Sequence, residues 1–218
     1  MAGRNLRELE AELYLDHRYH LGTLHDFTES GQDGAFVAGQ EPTLGDAIGA
    51  GGLIYDNADC DKAVQLAAVT MSGVFAWEAV VSSRSAGGAN AGRIVNAASL
   101  NLRWNGANIF FDCGTTLQTA LDQPFTGTII ATRDSSDDGY IYANGVPLIS
   151  GAVGSGSLSA HVVTIGNSTG WNRAFDGVIH ALRLYSTYID PDEAAVLHEA
   201  SRIALWPGAP KRSGIVTP

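Results

Sequence analysis

Hydrophobic and polar residues alternate with a period of two through much of this chain, the pattern of strands that bury one or both faces. The clearest run is Val178–Tyr185, where Val178, His180, Leu182 and Leu184 fall on one side and Ile179, Ala181, Arg183 and Tyr185 on the other. Both rows hold apolar residues, which predicts a central strand covered on each face. Val163 and Ile165 alternate in the same way just upstream, and a small-polar loop, Gly166 to Gly170, separates the two runs. In Gly73–Ser83, Phe75, Trp77, Ala79 and Val81 form one row, and Val74, Ala76, Glu78 and Val80 the other.

Further strands are predicted at Ala35–Ala38, Gly51–Asp56, Lys62–Val69, Gly92–Ala97, Leu100–Trp104, Asn108–Asp112 and Thr126–Arg133. Tyr140–Ile149 reads as a hairpin around Asn144-Gly145, the strongest short-range signal for a type I′ turn. Helical signals occur near the two ends. Asp190 suits an N-cap, Pro191 the first helical turn, and Glu193 completes a capping box, so a helix should run from about Pro191 to Arg202. Near the amino terminus, Leu6, Leu9 and Leu13 share one face of a short amphipathic helix over Asn5–Leu13, with Asn5 as its cap. The chain shows no internal repeat or linker, and Pro207–Pro218 is a low-complexity tail.

Composition narrows the picture. The 218 residues suit one large sandwich domain, and 26 glycines with only 17% charged residues fit many tight turns between short strands. A formal net charge of −10 disfavours nucleic acid and anionic membranes, which need a basic patch. No run approaches the roughly 20 apolar residues of a membrane span. The first residues, Met-Ala-Gly-Arg-Asn-Leu, contain no apolar signal core, which gives the expectation of a chain not exported by a signal peptide. On that expectation Cys60 and Cys113 are read as free thiols, and Asn167-Ser-Thr169 as a loop rather than a glycosylation site.

The order of elements over Val163–Glu193 strongly resembles the last third of a laminin-G-like, concanavalin A-like β-sandwich. Leu13–Gly39 resembles the opening of the same family, whose Asp-x-Ser/Thr-x-x-Gly-x-x-Gly turn is matched by Asp26–Gly34 leading into a short strand. The aromatic-rich strand ending at Asn144-Gly145 is similar too, so the resemblance covers roughly Leu13 to His198. It implies an all-β, concanavalin A-like jelly-roll sandwich with short N-terminal and C-terminal helices. The implied organisation is a helical arm at 1–12, the sandwich at 13–206 and an extended tail at 207–218.

Family glycosidases use two nearby carboxylates on one strand, spaced as Glu-x-Asp-x-x-Glu or Glu-x-Asp-x-Glu, roughly 5 Å apart when they retain configuration. Here Glu78 stands alone on its strand, which favours an edge-facing or hydrogen-bonded structural residue over catalysis. Gly166-Asn-Ser-Thr-Gly170 matches the nucleophile-elbow pattern around Ser168, yet no helical pattern follows it, as an elbow requires. The carboxylates Asp134, Asp137 and Asp138 offer the hard oxygens that suit Ca²⁺, although Asp-Asp-Gly is also ordinary hairpin chemistry. Asp56, Asp59 and Asp61 form a weaker cluster. His17, His20 and His25 are spaced so that all three cannot share one face, which favours surface residues over a zinc site. Trp171, with Asn167 and Asn172 around it, is the best candidate for stacking on a sugar, and Trp104 is a second. The resemblance implies that the Trp171 loop is an end loop, which commonly packs on its own domain, and that is the favoured reading. Where family members often carry an acidic pair, this chain has His180-Ala181.

Three functions follow as expectations. The first is a non-enzymatic structural or interaction protein. Single laminin-G-like domains without a signal peptide resemble phage head-decoration or tail-associated proteins, made in the host cytoplasm and assembled into a virion. Its partners would be further copies of itself or a capsid or tail protein, with Leu6, Leu9, Leu13, Ile215 and Val216 as assembly contacts. The second is a carbohydrate-binding module or host-surface adhesin. The third, a glycosidase, is least favoured. No cofactor is expected beyond a possible Ca²⁺.

Overall fold

The structure is a computed structural model that describes residues 13–20, 24–26, 35–36, 43–45, 52–55, 63–71, 73–156, 158–170 and 172–205. In chain order its strands are β1 (Leu13–His20), β2 (Leu24–Asp26), β3 (Ala35–Phe36), β4 (Thr43–Gly45), β5 (Gly52–Tyr55), β6 (Val64–Met71), β7 (Phe75–Ser83) and β8 (Arg93–Ala97). There follow β9 (Leu100–Asn105), β10 (Asn108–Cys113), β11 (Thr115–Ala120), β12 (Phe125–Arg133), β13 (Asp138–Ala143), β14 (Val146–Ala152), β15 (Leu158–Ile165) and β16 (Gly177–Tyr185). One α-helix, α1 (Pro191–Leu205), closes the described chain.

These strands form two antiparallel sheets facing each other, as the alternation predicts. A nine-stranded sheet runs β14-β13-β12-β7-β16-β1-β2, with β5 pairing β16 and β4 pairing β5. A seven-stranded sheet runs β11-β10-β9-β8-β15-β6-β3. Between them lies one core that includes Trp77, Trp104, Phe111, Phe175, Tyr55, Leu102 and Ile165, all 1% exposed or less. Each fully buried aliphatic or Phe side chain contributes about 1.5–3 kcal/mol by leaving water.

The predicted capping box forms: the Glu193 amide donates to Asp190 Oδ1 at 2.8 Å, and the Asp190 amide to Glu193 Oε2 at 3.0 Å. Helix α1 then lies on the outer face of the nine-stranded sheet, where Ala194 and Leu197 join Ala76, Ile130, Tyr142, Tyr185 and Ile189 in a second apolar cluster. At the β13–β14 turn, Asn144 and Gly145 have φ of 53° and 75°, as a type I′ turn needs.

Two expectations are corrected. The strict two-row reading of β16 fails at a bulge: Ile179 pairs Val81 and Ala181 pairs Val80, leaving His180 as the extra residue. Ile179 therefore shares the core face with Leu182 and Leu184. Leu13 does not end a helix, because it opens β1 and pairs Leu184. Leu6, Leu9, Ile215 and Val216 lie outside the described residues.

Candidate functional site

Glu78 projects from β7 to the outer side of the nine-stranded sheet and is 0% exposed. Its carboxylate accepts hydrogen bonds from Arg183 Nη1 at 2.7 Å, Tyr185 Oη at 2.7 Å and Ser201 Oγ of α1 at 2.6 Å. It is thus the hydrogen-bonded structural residue expected. It is not edge-facing, since β7 lies between β12 and β16. Ala76 and Val80 are its same-face neighbours on the strand, so no second carboxylate there could complete a hydrolytic pair.

Ser168 spends its hydroxyl on Asn172 Oδ1 at 3.2 Å, and among the described residues between it and β16 there is no helix. A serine–histidine contact that sequence reasoning missed, Ser82 Oγ with His180 Nε2 at 3.0 Å, is enclosed between β7 and β16 and offers no open face to a substrate. In the β12–β13 turn, Asp134 accepts the amides of Ser136 and Asp138 and the Tyr140 hydroxyl, while Asp137 pairs with Arg133. Those two carboxylates thereby hold the hairpin. Among the described residues no group of three or more His, Cys, Asp or Glu could hold a metal ion. Asp56, Asp59, Asp61 and the side chains of His17, His20 and His25 lie outside the described residues.

The stacking candidates separate. Trp104 is 1% exposed, packs beside Phe125 and Phe175, and donates its indole N–H to the Leu121 carbonyl at 3.2 Å. It is a core residue, which corrects its candidacy as a sugar platform. Asn167 is buried as well: its Oδ1 accepts the amides of Ser168 and Arg173, so it shapes the loop and does not meet a ligand. Asn172 is exposed on that loop, and Trp171 lies outside the described residues.

The outer side of the seven-stranded sheet carries polar side chains, exposed at Thr116 and Gln118 and fully buried at Thr164. Strand pairing sets Thr116, Asp112, Asn101, Asn96, Thr164 and Gln65 in one row across β11, β10, β9, β8, β15 and β6. The next row is Gln118, Phe110, Arg103 and Arg93. Arg103 binds Asp112 through Nε at 2.8 Å and lies 4.1 Å above the Phe110 ring, while Thr116 Oγ1 donates to Asp112 Oδ1 at 2.7 Å. Asn96 donates its amide to Asn101 and accepts the Thr169 amide at 3.1 Å, which ties the Asn172 loop to the rim of this face.

Arg93 reaches the outer row through a bulge. Plain alternation would place it with Val95 and Ala97 in the core, but the register shifts between Arg93 and Val95, so Ile94 and Val95 both point inward and Arg93 opposes Arg103. Its Nε and Nη1 are buried without a hydrogen-bond partner. Burial first, and then the neighbouring Arg103 charge, pushes its pKa down to about 10, which leaves it charged at neutral pH. The Arg93 amide donates to the Arg173 carbonyl at 2.9 Å. The glycine loop beside it packs tightly on the same segment: a Cβ on Gly87 (φ 78°) would meet the Ala174 carbonyl at 2.4 Å. Sequence reasoning did not find this row. The only signal for it was the polar alternation Asn101, Arg103, Asn105.

A family model described as the concanavalin A-like lectin/glucanases superfamily matches residues 62–195. The chain belongs to this superfamily. No curated protein matches the sequence of this superfamily member. Among solved structures it is similar to domain 4 of an extracellular GH43 arabinanase from Geobacillus stearothermophilus, solved with arabinotriose, at TM-score 0.71 and 14% identity over 87% of this chain and 98% of that one. It is also similar to the binding domain of botulinum neurotoxin serotype G, at TM-score 0.68 and 14% identity over 88% of this chain and 51% of that one. A third likeness is to botulinum neurotoxin type C, described as entering cells through two ganglioside molecules, at TM-score 0.68 and 10% identity over 90% and 53%. The chain thus spans about half of either toxin structure, and at these identities the likenesses establish the lectin-like fold.

Proposed function

We propose that this chain is a non-catalytic binding module that recognises a carbohydrate on the outer face of its seven-stranded sheet. The observation that carries the reading is the polar surface built by β8 to β11, where amide and guanidinium groups stand side by side on rigid neighbouring strands. Planar amides and guanidinium groups supply the paired donors and acceptors that sugar hydroxyls take up. On the opposite sheet α1 packs over part of the outer face, and the Glu78 carboxylate there is locked in a network. The arabinotriose complex of one structural relative and the gangliosides named for another support the reading.

A glycan array with the wild-type protein, Asn101→Ala, Gln118→Ala and Trp171→Ala tests it. Specific binding that falls in Asn101→Ala and Gln118→Ala supports the sheet face. Binding lost in Trp171→Ala alone moves the site to the loop, and turnover of any polysaccharide refutes the non-catalytic assignment. The proposed setting is a virion surface, with copies of the chain or a capsid or tail protein as partners. Antibody labelling that found the chain in infected cells but never on particles would remove that setting and leave the glycan reading standing.

A further inference from the structure

Arg84, Arg103, Arg133, Arg183 and Arg202 each hold a carboxylate partner. Among the arginines whose side chains are described, Arg93 and Arg173 do not; the Arg93 amide donates to the Arg173 carbonyl, and Arg173 Nη1 donates to the Ala89 carbonyl at 3.2 Å. Three arginines, Arg93, Arg103 and Arg173, act on one another at this point of a chain whose net charge is −10. Asp112 is the carboxylate beside them, and its two oxygens are already taken by Arg103 and Thr116. Like charges directly opposite on paired strands destabilise a sheet, and buried donors left unpaired cost more still. Side chains that break these rules together, on a face with no other evident need for them, mark a site that a ligand completes.

We propose that this face selects acidic sugars, with the carboxylate of a uronic or sialic acid residue seated on Arg93 between Arg103 and Arg173. This rests on the glycan reading above and narrows it. A carboxylate drawn to the guanidinium offsets the uncompensated charge, and the Arg93 side chain turns outward to meet it, since Nε and Nη1 are closed to solvent where they now lie. The half-buried position strengthens that contact relative to open solvent. The adjacent Asn96, Asn101 and Gln118 amides suit the hydroxyls of the same sugar and its neighbour. A long polyanion is disfavoured by the negative charge of the whole chain, whereas one carboxylate on a sugar needs only this local field.

The test uses the full chain on an array of uronate, sialate, sulfated and neutral oligosaccharides, followed by calorimetry on the best acidic glycan and its carboxyl-reduced form. The expected result is binding to a carboxylated glycan that weakens about tenfold or more on carboxyl reduction. Arg93→Met should cause the same loss on the carboxylated glycan and a much smaller change on the reduced one, and Arg93→Lys should recover only part of the loss. An unchanged thermal melt of Arg93→Met, or a higher one, shows that the loss is not misfolding. Equal affinity for the carboxylated and reduced forms, or full affinity in Arg93→Met, overturns the acidic-sugar site but leaves the glycan module intact. Stronger binding of sulfated than of carboxylated glycans overturns the carboxylate assignment in favour of a general anion site. Failure to bind any glycan removes both readings.

Discussion

Replacing Arg183 with methionine isolates what holds α1 to the sandwich. Arg183 donates to Glu78 Oε1 at 2.7 Å and to Ser201 Oγ at 2.9 Å, so one guanidinium links β16, β7 and the helix. Glu78 is wholly buried, while the Arg183 side chain is only 15% exposed. Removing one partner of a buried pair costs about 3–5 kcal/mol, because the other charge is left uncompensated. Tyr185 and Ser201 still donate to Glu78 in the variant, which places the expected loss near the lower end, about 3 kcal/mol. For a chain of this length that is a fall in Tm of about 6–12 °C. Urea unfolding should show a lower midpoint at an unchanged slope. The double variant Glu78→Gln/Arg183→Met removes both charges and should regain about half of the loss. If the single and double variants are equally stable, charge compensation is not what Arg183 provides and the reasoning fails.

Two further outcomes follow from the packing. Gly166→Ala should lose about 3 kcal/mol or more, since φ is 78° and a Cβ there would lie 1.9 Å from the Tyr55 ring; a melt equal to wild type would refute this. Cys113 is free and buried, and burial raises its thiol pKa against the opposing pull of Arg133. In a Cys60→Ser background iodoacetamide should label it slowly at about pH 8 until denaturant is added. Because the folded state keeps this thiol protonated above its unfolded value, its contribution is present below an ordinary pKa near 9.0 and declines as pH rises beyond it. Native labelling as fast as denatured labelling would contradict the buried placement.

The scaffold was largely legible because its signals are local. The inner row of β7, the Asn144-Gly145 turn and the Asp190–Glu193 box each declare themselves within a few residues. β11 escaped because Thr115–Ala120 carries Leu117 as its one buried apolar residue, so it shows no alternation. The outer row around Arg93 escaped for a different reason. A bulge cancels the period-two rule on which face assignment rests, and nothing in Arg93-Ile-Val-Asn96 announces it. Trp104 lies where the row Leu100, Leu102, Trp104 puts it, so its period and not its aromatic chemistry is the signal that tells its place.

The bulge between Arg93 and Val95 makes the charge of the outer face depend on the backbone path of the strand as well as on its residues. Straightening the strand at constant length would restore plain alternation and turn Arg93 inward with Val95, whereas deleting Ile94 or Val95 would remove the bulge and leave Arg93 on the outer side. A substitution that straightens the bulge is therefore a route by which relatives of this chain can lose a taste for charged ligands while keeping the arginine. Aligned sequences that keep the arginine but lack the bulge should not be assumed to share a ligand.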